Sequence, residues 1–233
     1  MFFQYDIHVH AKESSPCAKN SAKEMASAYA NAGFAGFVLT DHFARDIILS
    51  HGSYEDGVRN QYRTFQIAQE EGNRYGIDVF FGIEFRYHGY DFLTYGIDLP
   101  FLLENKDIFD IPFATYAERV HQVGGYICQA HPFRRIGNLP IVIEVSAIDA
   151  IEIYNGSHLD DGSTPYPAYY NEMAELFARR TGLPGLAGSD THDVVRETNT
   201  PFRKASLLFD HKITDIRHLI ASFRSGRYTI CKI

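Results

Sequence analysis

Short apolar runs alternate with amphipathic segments along nearly the whole chain. The short runs have the length of buried strands, and the longer segments repeat apolar residues at helical spacing. The predicted strands span residues 2–10, 36–40, 77–84, 91–96, 125–130, 148–154 and 183–189. The predicted helices span residues 21–32, 54–75, 116–123 and 171–181. This alternation predicts an α/β fold with a parallel sheet and crossover helices, closed or nearly closed into a barrel.

Local signals support this division of the chain. Ser21 is the expected N-cap of the first helix, and Glu24 three residues later completes a capping-box pattern. Residues 156–167 form the most polar stretch, which we interpret as a surface loop. His158 in this loop either reaches the substrate or is solvated, and solvation is the favoured interpretation. The sequence has no internal repeat, low-complexity tract or linker, so we expect residues 1–233 to form a single domain.

Composition narrows the class of protein. Of the 233 residues, 45% are hydrophobic, which is enough for a large core, and the net charge is -7. An acidic chain disfavours a nucleic-acid or membrane surface. Cys17, Cys128 and Cys231 are an odd number without close spacing, which favours a reducing compartment. No signal-peptide pattern begins the sequence and no apolar run approaches the roughly 18–20 residues that span a bilayer, so we expect a cytoplasmic protein.

Candidate metal ligands stand where the predicted strands end. His8 and His10 close the first strand, and residues two apart on a strand face the same side, about 6–7 Å apart. Alone, this pair is equally well explained as two surface histidines. Similar residues close later strands: Asp41, His42, Glu84, His131, Asp190 and His192. Barrels of this type gather their chemistry at the C-terminal strand ends, so these side chains predict a metal site there.

The residue types indicate which ions and which reaction to expect. Aspartate, glutamate and histidine suit Zn, Mn or Fe, and a carboxylate such as Glu84 can bridge two cations. Two ions roughly 3.5–4 Å apart stabilise both oxygens of a displacement at phosphorus and generate a bridging hydroxide near neutral pH. The pattern therefore favours a metal-dependent hydrolase.

Five segments, taken in order, resemble the successive motifs of the PHP (polymerase and histidinol phosphatase) family. They are residues 6–10 (DIHVH), 36–42 (GFVLTDH), 82–84 (GIE), 130–132 (AHP) and 188–192 (GSDTH). The resemblance extends from residue 6 to about residue 193. It implies a distorted (β/α)7 TIM-like barrel with two or three divalent metal ions (Zn, Mn or Fe) at the C-terminal strand ends. It also implies phosphoesterase activity.

The resemblance further implies a set of metal ligands. The first ion would be held by His8, His10, Glu84 and Asp190. The second would be held by Glu84 and His131, and a third by His42 and His192. Asp41 would orient a histidine rather than bind metal.

The sequence departs from the family pattern at two places. The family often has an acidic or histidine ligand where this chain has Ser15 and Pro16. Cys17 can substitute as a thiolate, although a small buried cysteine is the favoured interpretation. The family commonly has a histidine where this chain has Asp91, which is therefore a predicted ligand with His88 as its rival. These departures leave the number of ions at two or three.

Further residues have predicted roles in binding and catalysis. A guanidinium can hold a phosphate bidentately, and we favour Arg134 for this role. For Arg135, solvation of a loop is an equally good explanation. Asn155 ends a predicted strand and either orients the substrate or a water molecule, or caps the local structure. His42 and His192 are predicted to protonate the leaving alcohol if metal ions do not fully engage them. Arg134 is predicted to neutralise charge on the transferred group.

The leading hypothesis is a metal-dependent phosphoesterase that hydrolyses a phosphate ester through a hydroxide bridging two ions. A small phosphorylated molecule or nucleotide is the favoured substrate, and nucleic acid is less favoured because the chain is acidic. One alternative is an amidohydrolase-like enzyme acting on C–N or C–O bonds, although no predicted strand end offers a bridging lysine. The other is a metal-binding PHP module without catalysis. The sequence does not indicate an oligomeric state.

Overall fold

The computed structural model describes residues 2–134, 145–159, 165–194 and 205–232. Its strands are β1 (Phe3–Val9), β2 (Gly36–Leu39), β3 (His42–Phe43), β4 (Asp78–Tyr87), β5 (Tyr90–Tyr95), β6 (Tyr126–Gln129), β7 (Ala150–Asn155), β8 (Gly185–Gly188), β9 (Ala205–Phe209) and β10 (Thr229–Lys232). Its helices are α1 (Ala22–Asn31), α2 (Arg45–Leu49), α3 (Tyr54–Tyr75), α4 (Leu99–Glu104), α5 (Phe113–Gln122), α6 (Tyr169–Thr181) and α7 (Ile216–Arg224). Arg135 and residues 160–164 of the predicted polar loop lie outside the described residues.

The strands form one sheet that curves into a nearly closed barrel. The strand order is β10-β9-β1-β2-β4-β5-β6-β7-β8, with β3 beside β4. The chain leaving β8 returns to β1, where Asp190 N donates to His8 O (2.9 Å) and His10 N donates to Thr191 O (3.1 Å). The predicted α/β barrel is therefore confirmed, and its closure brings the two ends of the sheet together beside His8.

The prediction of a parallel sheet is wrong for β5, β9 and β10. Strand β5 is antiparallel to β4 and β6, and β9 is antiparallel to β1 and β10. His88 and Gly89 alone connect β4 to β5, with φ angles of 49° and 85°. Two successive positive φ angles make a tight hairpin turn, and so short a connection cannot cross over to a parallel strand.

Several predicted helix ends are confirmed. Ser21 caps α1 in a capping box with Glu24, and α3 ends at Gly76, whose φ of 74° is left-handed. Helix α5 begins three residues before the prediction, because Pro112 occupies its N-cap position. The elements β3, α2 and α4 were not predicted, because each is too short to show a period. Helix α7 and strands β9 and β10 were not predicted either.

Two groups of buried apolar side chains hold the layers together. One packs α1 and α3 against the sheet, for example Tyr29 on Phe37 and Phe65 on Phe81. The other packs α7 against the barrel strands, with the Tyr95 and Phe223 ring centroids 5.7 Å apart. No helix in the described residues is long and apolar enough to cross a bilayer. The strand ends that carry the predicted ligands are thus held by packing on both sides.

Candidate metal centre

Four strands bring their acidic and histidine side chains to one point inside the barrel. His8 Nε2 lies 3.3 Å from Glu84 Oε1 and 3.4 Å from Asp190 Oδ1. His10 Nε2 lies 3.2 Å from the same Asp190 oxygen, and His131 Nε2 lies 3.0 Å from Glu84 Oε1. All five residues are buried. Residues far apart in the sequence therefore form one compact cluster.

Glu84 lies at the middle of this cluster. Its Oε1 faces His8 and His131, whereas its Oε2 contacts His42 Nδ1 and lies 3.7 Å from His10 Nε2. Burial alone would raise the pKa of Glu84, but the charges of His42 and His8 and the hydrogen bond from His131 hold it well below its usual range. The carboxylate is thus anionic, and its two oxygens face different sets of ligands.

The placement of Glu84 differs from the prediction that it ends a strand. Strand β4 continues to Tyr87, and Glu84 stands within it, paired with His42 of β3. The apolar run ends at Glu84, but the hairpin to β5 extends the hydrogen-bonded ladder for three more residues.

Within the described part of the chain, three groups of ligand atoms lie close enough to hold metal ions. In each group the atoms lie within 4.8 Å of one another. The groups are His8, His10 and Asp190; His8, Glu84 and His131; and His10, His42 and His192. Every predicted ligand except Asp91 belongs to one of them.

Asp91 lies at the edge of the cluster and bonds to an arginine. Its carboxylate accepts hydrogen bonds from Arg86 Nε (2.8 Å) and Nη2 (3.2 Å), and its Oδ2 is 4.0 Å from His131 Nε2. Its rival His88 is exposed at the hairpin turn. The ligand role of Asp91 stays a prediction, and the structure adds Arg86 as a competing partner.

Unpaired polar atoms indicate what the cluster is built to hold. Five of its buried atoms have no hydrogen-bond partner: His8 Nε2, His10 Nε2, His42 Nδ1, Glu84 Oε2 and Asp190 Oδ1. Each unpaired buried polar atom costs about 1–3 kcal/mol. Their concentration at one point, with imidazole and carboxylate donors, fits divalent metal ions.

The backbone is strained at two residues of the cluster. His131 and Asp190 have φ angles of 28° and 56°, a region that residues other than glycine rarely adopt. Such a conformation costs about 1–3 kcal/mol and persists only where the surroundings hold it. Asp190 N donates to His8 O and His131 N donates to Glu152 Oε2 (both 2.9 Å). The strain thus lies where side chains must turn into the cluster.

Glu152 is a residue that the sequence reasoning missed. Its Oε1 lies 2.8 Å from His8 Nδ1, and its Oε2 accepts from Asn155 Nδ2 (2.8 Å). A proton held on Nδ1 leaves the Nε2 lone pair of His8 free for a metal ion. Burial would lower the pKa of His8, but Asp190, Glu152 and Glu84 raise it well above its usual value. The available signal was an acidic residue inside the apolar run 148–154.

Ser15, where the family often has a ligand, is buried and orients the histidines. Its Oγ lies 3.3 Å from His10 Nδ1, donates to Asp41 Oδ1 (2.7 Å) and accepts from His42 N (3.0 Å). Asp41 thus contacts His10 by way of Ser15, and its predicted role in orienting a histidine stays a prediction. Burial raises the pKa of Asp41 to about 7.

Arg134 binds the cluster itself. Its Nη2 donates to Asp190 Oδ2 (2.6 Å) and to Asn155 Oδ1 (3.2 Å), and its Nε donates to His158 Nε2 (3.0 Å). The substrate-binding roles of Arg134 and Asn155 stay predictions. The predicted solvation of His158 is wrong, because Asn171 and Arg134 hold its ring in a buried position. Burial and the Arg134 charge lower the pKa of His158 to about 2.

Cys17 lies at the outer edge of the cluster. It is exposed, so the favoured prediction of a buried cysteine is wrong, and its Sγ lies 3.2 Å from His42 Nε2. Burial of the thiol would raise its pKa, but hydrogen bonds with His192 and His42 outweigh this and lower it to about 6. His42 and His192 themselves approach to 3.5 Å between their Nε2 atoms.

Together, the barrel and its buried cluster define an α/β protein in which groups of histidine, glutamate and aspartate side chains could hold metal ions. The PHP domain profile matches residues 6–212, so the chain belongs to the PHP domain family. The resemblance noted in the sequence is thereby confirmed. No curated protein sequence matches the chain.

Solved structures share the fold at low sequence identity. A two-domain protein from Bacteroides vulgatus, described as containing a predicted PHP-like metal-dependent phosphoesterase, superposes with a TM-score of 0.73 and 14% identity. The match covers 100% of this chain but 65% of that protein, so this chain spans less than two thirds of its length. PsfC from Pseudomonas syringae matches with a TM-score of 0.65 and 14% identity, over 100% of this chain and 92% of PsfC.

A third structure is an amidohydrolase from Chromobacterium violaceum with bound sulfate and no metal. It matches with a TM-score of 0.53 and 18% identity, over 81% of this chain and 87% of that one. At these identities the similarities establish the fold. Together with the family match and the ligand groups, they support a metal-dependent hydrolase.

Proposed function

We propose that this protein is a metal-dependent phosphoesterase that hydrolyses a phosphate ester of a small molecule or nucleotide. The observation that carries the proposal is the convergence of unpaired, buried ligand atoms from His8, His10, Glu84 and Asp190 inside a PHP-family barrel. A site that only stabilised the fold would pair its polar atoms. These atoms instead remain available to cations.

The proposed ligand sets are those that the family resemblance implies, and they overlap with the groups of neighbouring ligand atoms in the structure. One ion would be held by His8, His10, Glu84 and Asp190, a second by Glu84 and His131, and a third by His42 and His192. When bound, such ions polarise the phosphoryl group and lower the pKa of a water molecule. Zn, Mn and Fe suit these donors.

The protein residues hold this site in one arrangement. Glu84 supplies a negative charge that two ions can share, and Glu152 holds the ring of His8 so that its Nε2 faces the cluster. Arg134 orients Asp190 and places a partly buried positive charge beside the site. That charge supports the proposed role of Arg134 in neutralising the transferred phosphoryl group.

A cavity near the end of β4 supports a small substrate. A cavity of about 300 Å³ is lined by residues that include Arg45, Arg86, Tyr87 and Phe109. Arg86 also bonds to Asp91 at the edge of the cluster, so one arginine of this cavity reaches that edge. Its volume is at the lower end of the range for small-molecule sites, and its arginines suit an anionic compound.

The test is hydrolysis of a phosphoester panel by purified protein loaded with Mn²⁺ or Zn²⁺. We expect release of phosphate, and loss of that release in His8→Ala. His218→Ala is the matched control, because His218 lies on α7 and bonds to Thr214. Bound metal without turnover on any phosphoester would contradict the proposal and favour a non-catalytic metal-binding module.

A second candidate is hydrolysis of a C–N or C–O bond. The specific observation in its favour is the structural similarity to the C. violaceum amidohydrolase. The same preparation is therefore assayed on amides, lactones and carboxylic esters. Turnover confined to these substrates would replace the phosphoesterase proposal.

A further inference from the structure

We propose that Cys17 is a metal ligand, and that with His42 and His192 it forms a thiolate site at the outer edge of the cluster. This inference rests on the metal centre of the proposed function but not on its phosphoester substrate. The Cys17 Sγ lies 3.2 Å from His42 Nε2, and the two histidine Nε2 atoms are 3.5 Å apart. In a tetrahedral zinc site, bond lengths of about 2.05 Å to nitrogen and 2.3 Å to sulfur place neighbouring ligand atoms about 3.3–3.6 Å apart.

The histidine tautomers suit such a site. His192 Nδ1 lies 2.9 Å from the carbonyl oxygen of Asp190, so Nδ1 carries the proton and Nε2 keeps its lone pair. The two nitrogens of His42 face different ways: Nδ1 faces Glu84 Oε2 inside the cluster, and Nε2 faces Cys17 at its edge. Both rings thus present an acceptor nitrogen to the same point as the sulfur. At this position they act as ligands, not as proton donors.

A second observation points to a ligand independently of the cysteine. His10 Nε2 is buried, has no hydrogen-bond partner, and belongs to one group of ligand atoms with His42 and His192. Its ring centroid lies 4.4 Å from that of His42 and 4.2 Å from that of His192. Three imidazoles packed this closely around an unpaired nitrogen are expected where a cation is bound.

The loop that carries Cys17 is held in place from both sides. Ala18 N donates to Ser15 O (2.9 Å), which closes a turn with Pro16 and Cys17 at its centre. Proline at the second position of such a turn presets the backbone. Lys19 N donates to His192 O (2.8 Å), which ties the loop to one of the proposed ligands. The thiol is therefore positioned over the two histidines by the backbone.

A thiolate ligand changes which metal the edge site prefers. Sulfur donors select zinc and other soft ions, whereas carboxylate and water ligands suit manganese. We therefore expect this position to bind Zn²⁺ in preference to Mn²⁺. The inner positions, built from histidine and carboxylate, discriminate less between the two.

The experiment titrates the metal-free protein with Co²⁺, which reports thiolate coordination by a charge-transfer absorption in the near ultraviolet. We expect this band in the wild type and in Cys231→Ser, and its loss in Cys17→Ser. Elemental analysis after zinc loading should show one ion fewer in Cys17→Ser than in the other two proteins. Because Cys17 is exposed, the serine variant should keep the wild-type Tm in the metal-free state.

A second measurement follows the thiol directly. Zn²⁺ should protect Cys17, but not Cys231, from alkylation by iodoacetamide, as read by mass spectrometry. Retention of the cobalt band in Cys17→Ser, or equal alkylation of Cys17 with and without Zn²⁺, would overturn the inference. Neither readout needs turnover, so a failure of the phosphoesterase assay with the cobalt band present would count against the proposed function alone.

Discussion

Asp190 combines burial, a left-handed backbone and a stable negative charge at one position. Burial would raise its pKa, but the charges of Arg134 and His8 hold it well below the usual range. Its φ of 56° turns the side chain into the cluster, where Oδ1 has no hydrogen-bond partner. Charge and conformation can be separated, because asparagine tolerates the same backbone conformation and carries no charge.

Replacement of Asp190 by asparagine should preserve the fold and weaken metal binding. Changes to residues that only support a ligand cost about 10–100-fold in metal affinity, so loss of a ligand charge should cost at least that. Metal affinity is measured by competition with a chelator, and folding by circular dichroism. An unchanged affinity in Asp190→Asn would show that Asp190 does not bind metal.

Glu152 should affect metal affinity without binding the metal. In Glu152→Gln the amide cannot accept from His8 Nδ1, His131 N and Asn155 Nδ2 together, as the carboxylate does. We expect metal affinity to fall by about 10–100-fold in the same competition assay. The control is Glu172→Gln on α6, because Glu172 is exposed and should not change the affinity. Equal affinities in the two variants would contradict this role of Glu152.

At the scale of elements, the approach of β8 to β1 decides the position of His8. A Cβ atom on Gly188 would lie 2.5 Å from His8 Cβ and 2.9 Å from Glu152 Oε1. Neither atom can move away easily. His8 Cβ is attached directly to the backbone of β1, and Glu152 Oε1 bonds to His8 Nδ1. The glycine therefore sets how closely the last strand can approach the first ligand.

Gly188→Ala should reduce both stability and metal affinity. Overpacking of this kind costs about 1–3 kcal/mol in the free energy of unfolding. The matched control is Gly185→Ala on the same strand, where the added Cβ would meet only Ile153 among its three nearest atoms, at 2.5 Å from Cδ1. Urea denaturation should show destabilisation in both variants, and the chelator competition should show a loss in Gly188→Ala alone. An unchanged metal affinity in Gly188→Ala would show that the close approach of β8 does not affect metal binding.

At the scale of the whole molecule, metal ions should stabilise the fold to an extent that depends on pH. A ligand at 100 times its Kd adds about 2.7 kcal/mol to the free energy of unfolding. Nearby carboxylates raise the pKa of His8 and His42 well above the usual value, so both rings carry protons that metal must displace. The stabilisation that metal binding adds therefore increases as pH rises and decreases as pH falls.

Thermal unfolding with and without Zn²⁺ measures this gain. We expect the rise in Tm on adding zinc to be larger at about pH 8 than at about pH 6, because fewer protons compete for the ligand nitrogens. A chelator should return Tm to the metal-free value at both pH values. A gain that is equal at both, or larger in acid, would contradict protonation of His8 and His42 in the metal-free protein.

Local chemistry made part of this molecule predictable. The ends of α3 follow from its apolar period and from Gly76, and the capping box of α1 follows from Ser21 and Glu24. The candidate ligands were recognisable because the chain repeats the same donor types after apolar runs, in the order of a known family. All of these signals act over a few residues, or repeat along the chain.

Contacts between distant residues decided the rest. The pairing of His8 with Glu152 joins residues 144 positions apart, and that of Arg134 with Asp190 joins residues 56 apart. The sequence predicted β5 as a strand but not its direction. That direction depends on a two-residue turn, whose backbone conformation cannot be read from the spacing of apolar residues. Burial of Ser15 and His158 and exposure of Cys17 also depend on which segments pack over them.

The sequence by itself thus determined the barrel class, the family and the candidate ligands, because local patterning and motif order encode them. Only the tertiary structure decided how those donors are held, with Ser15 and Glu152 behind the histidines, Arg134 against Asp190 and Cys17 over His42. The physical reason is that hydrogen bonds and burial depend on distances in space, which closure of the barrel establishes.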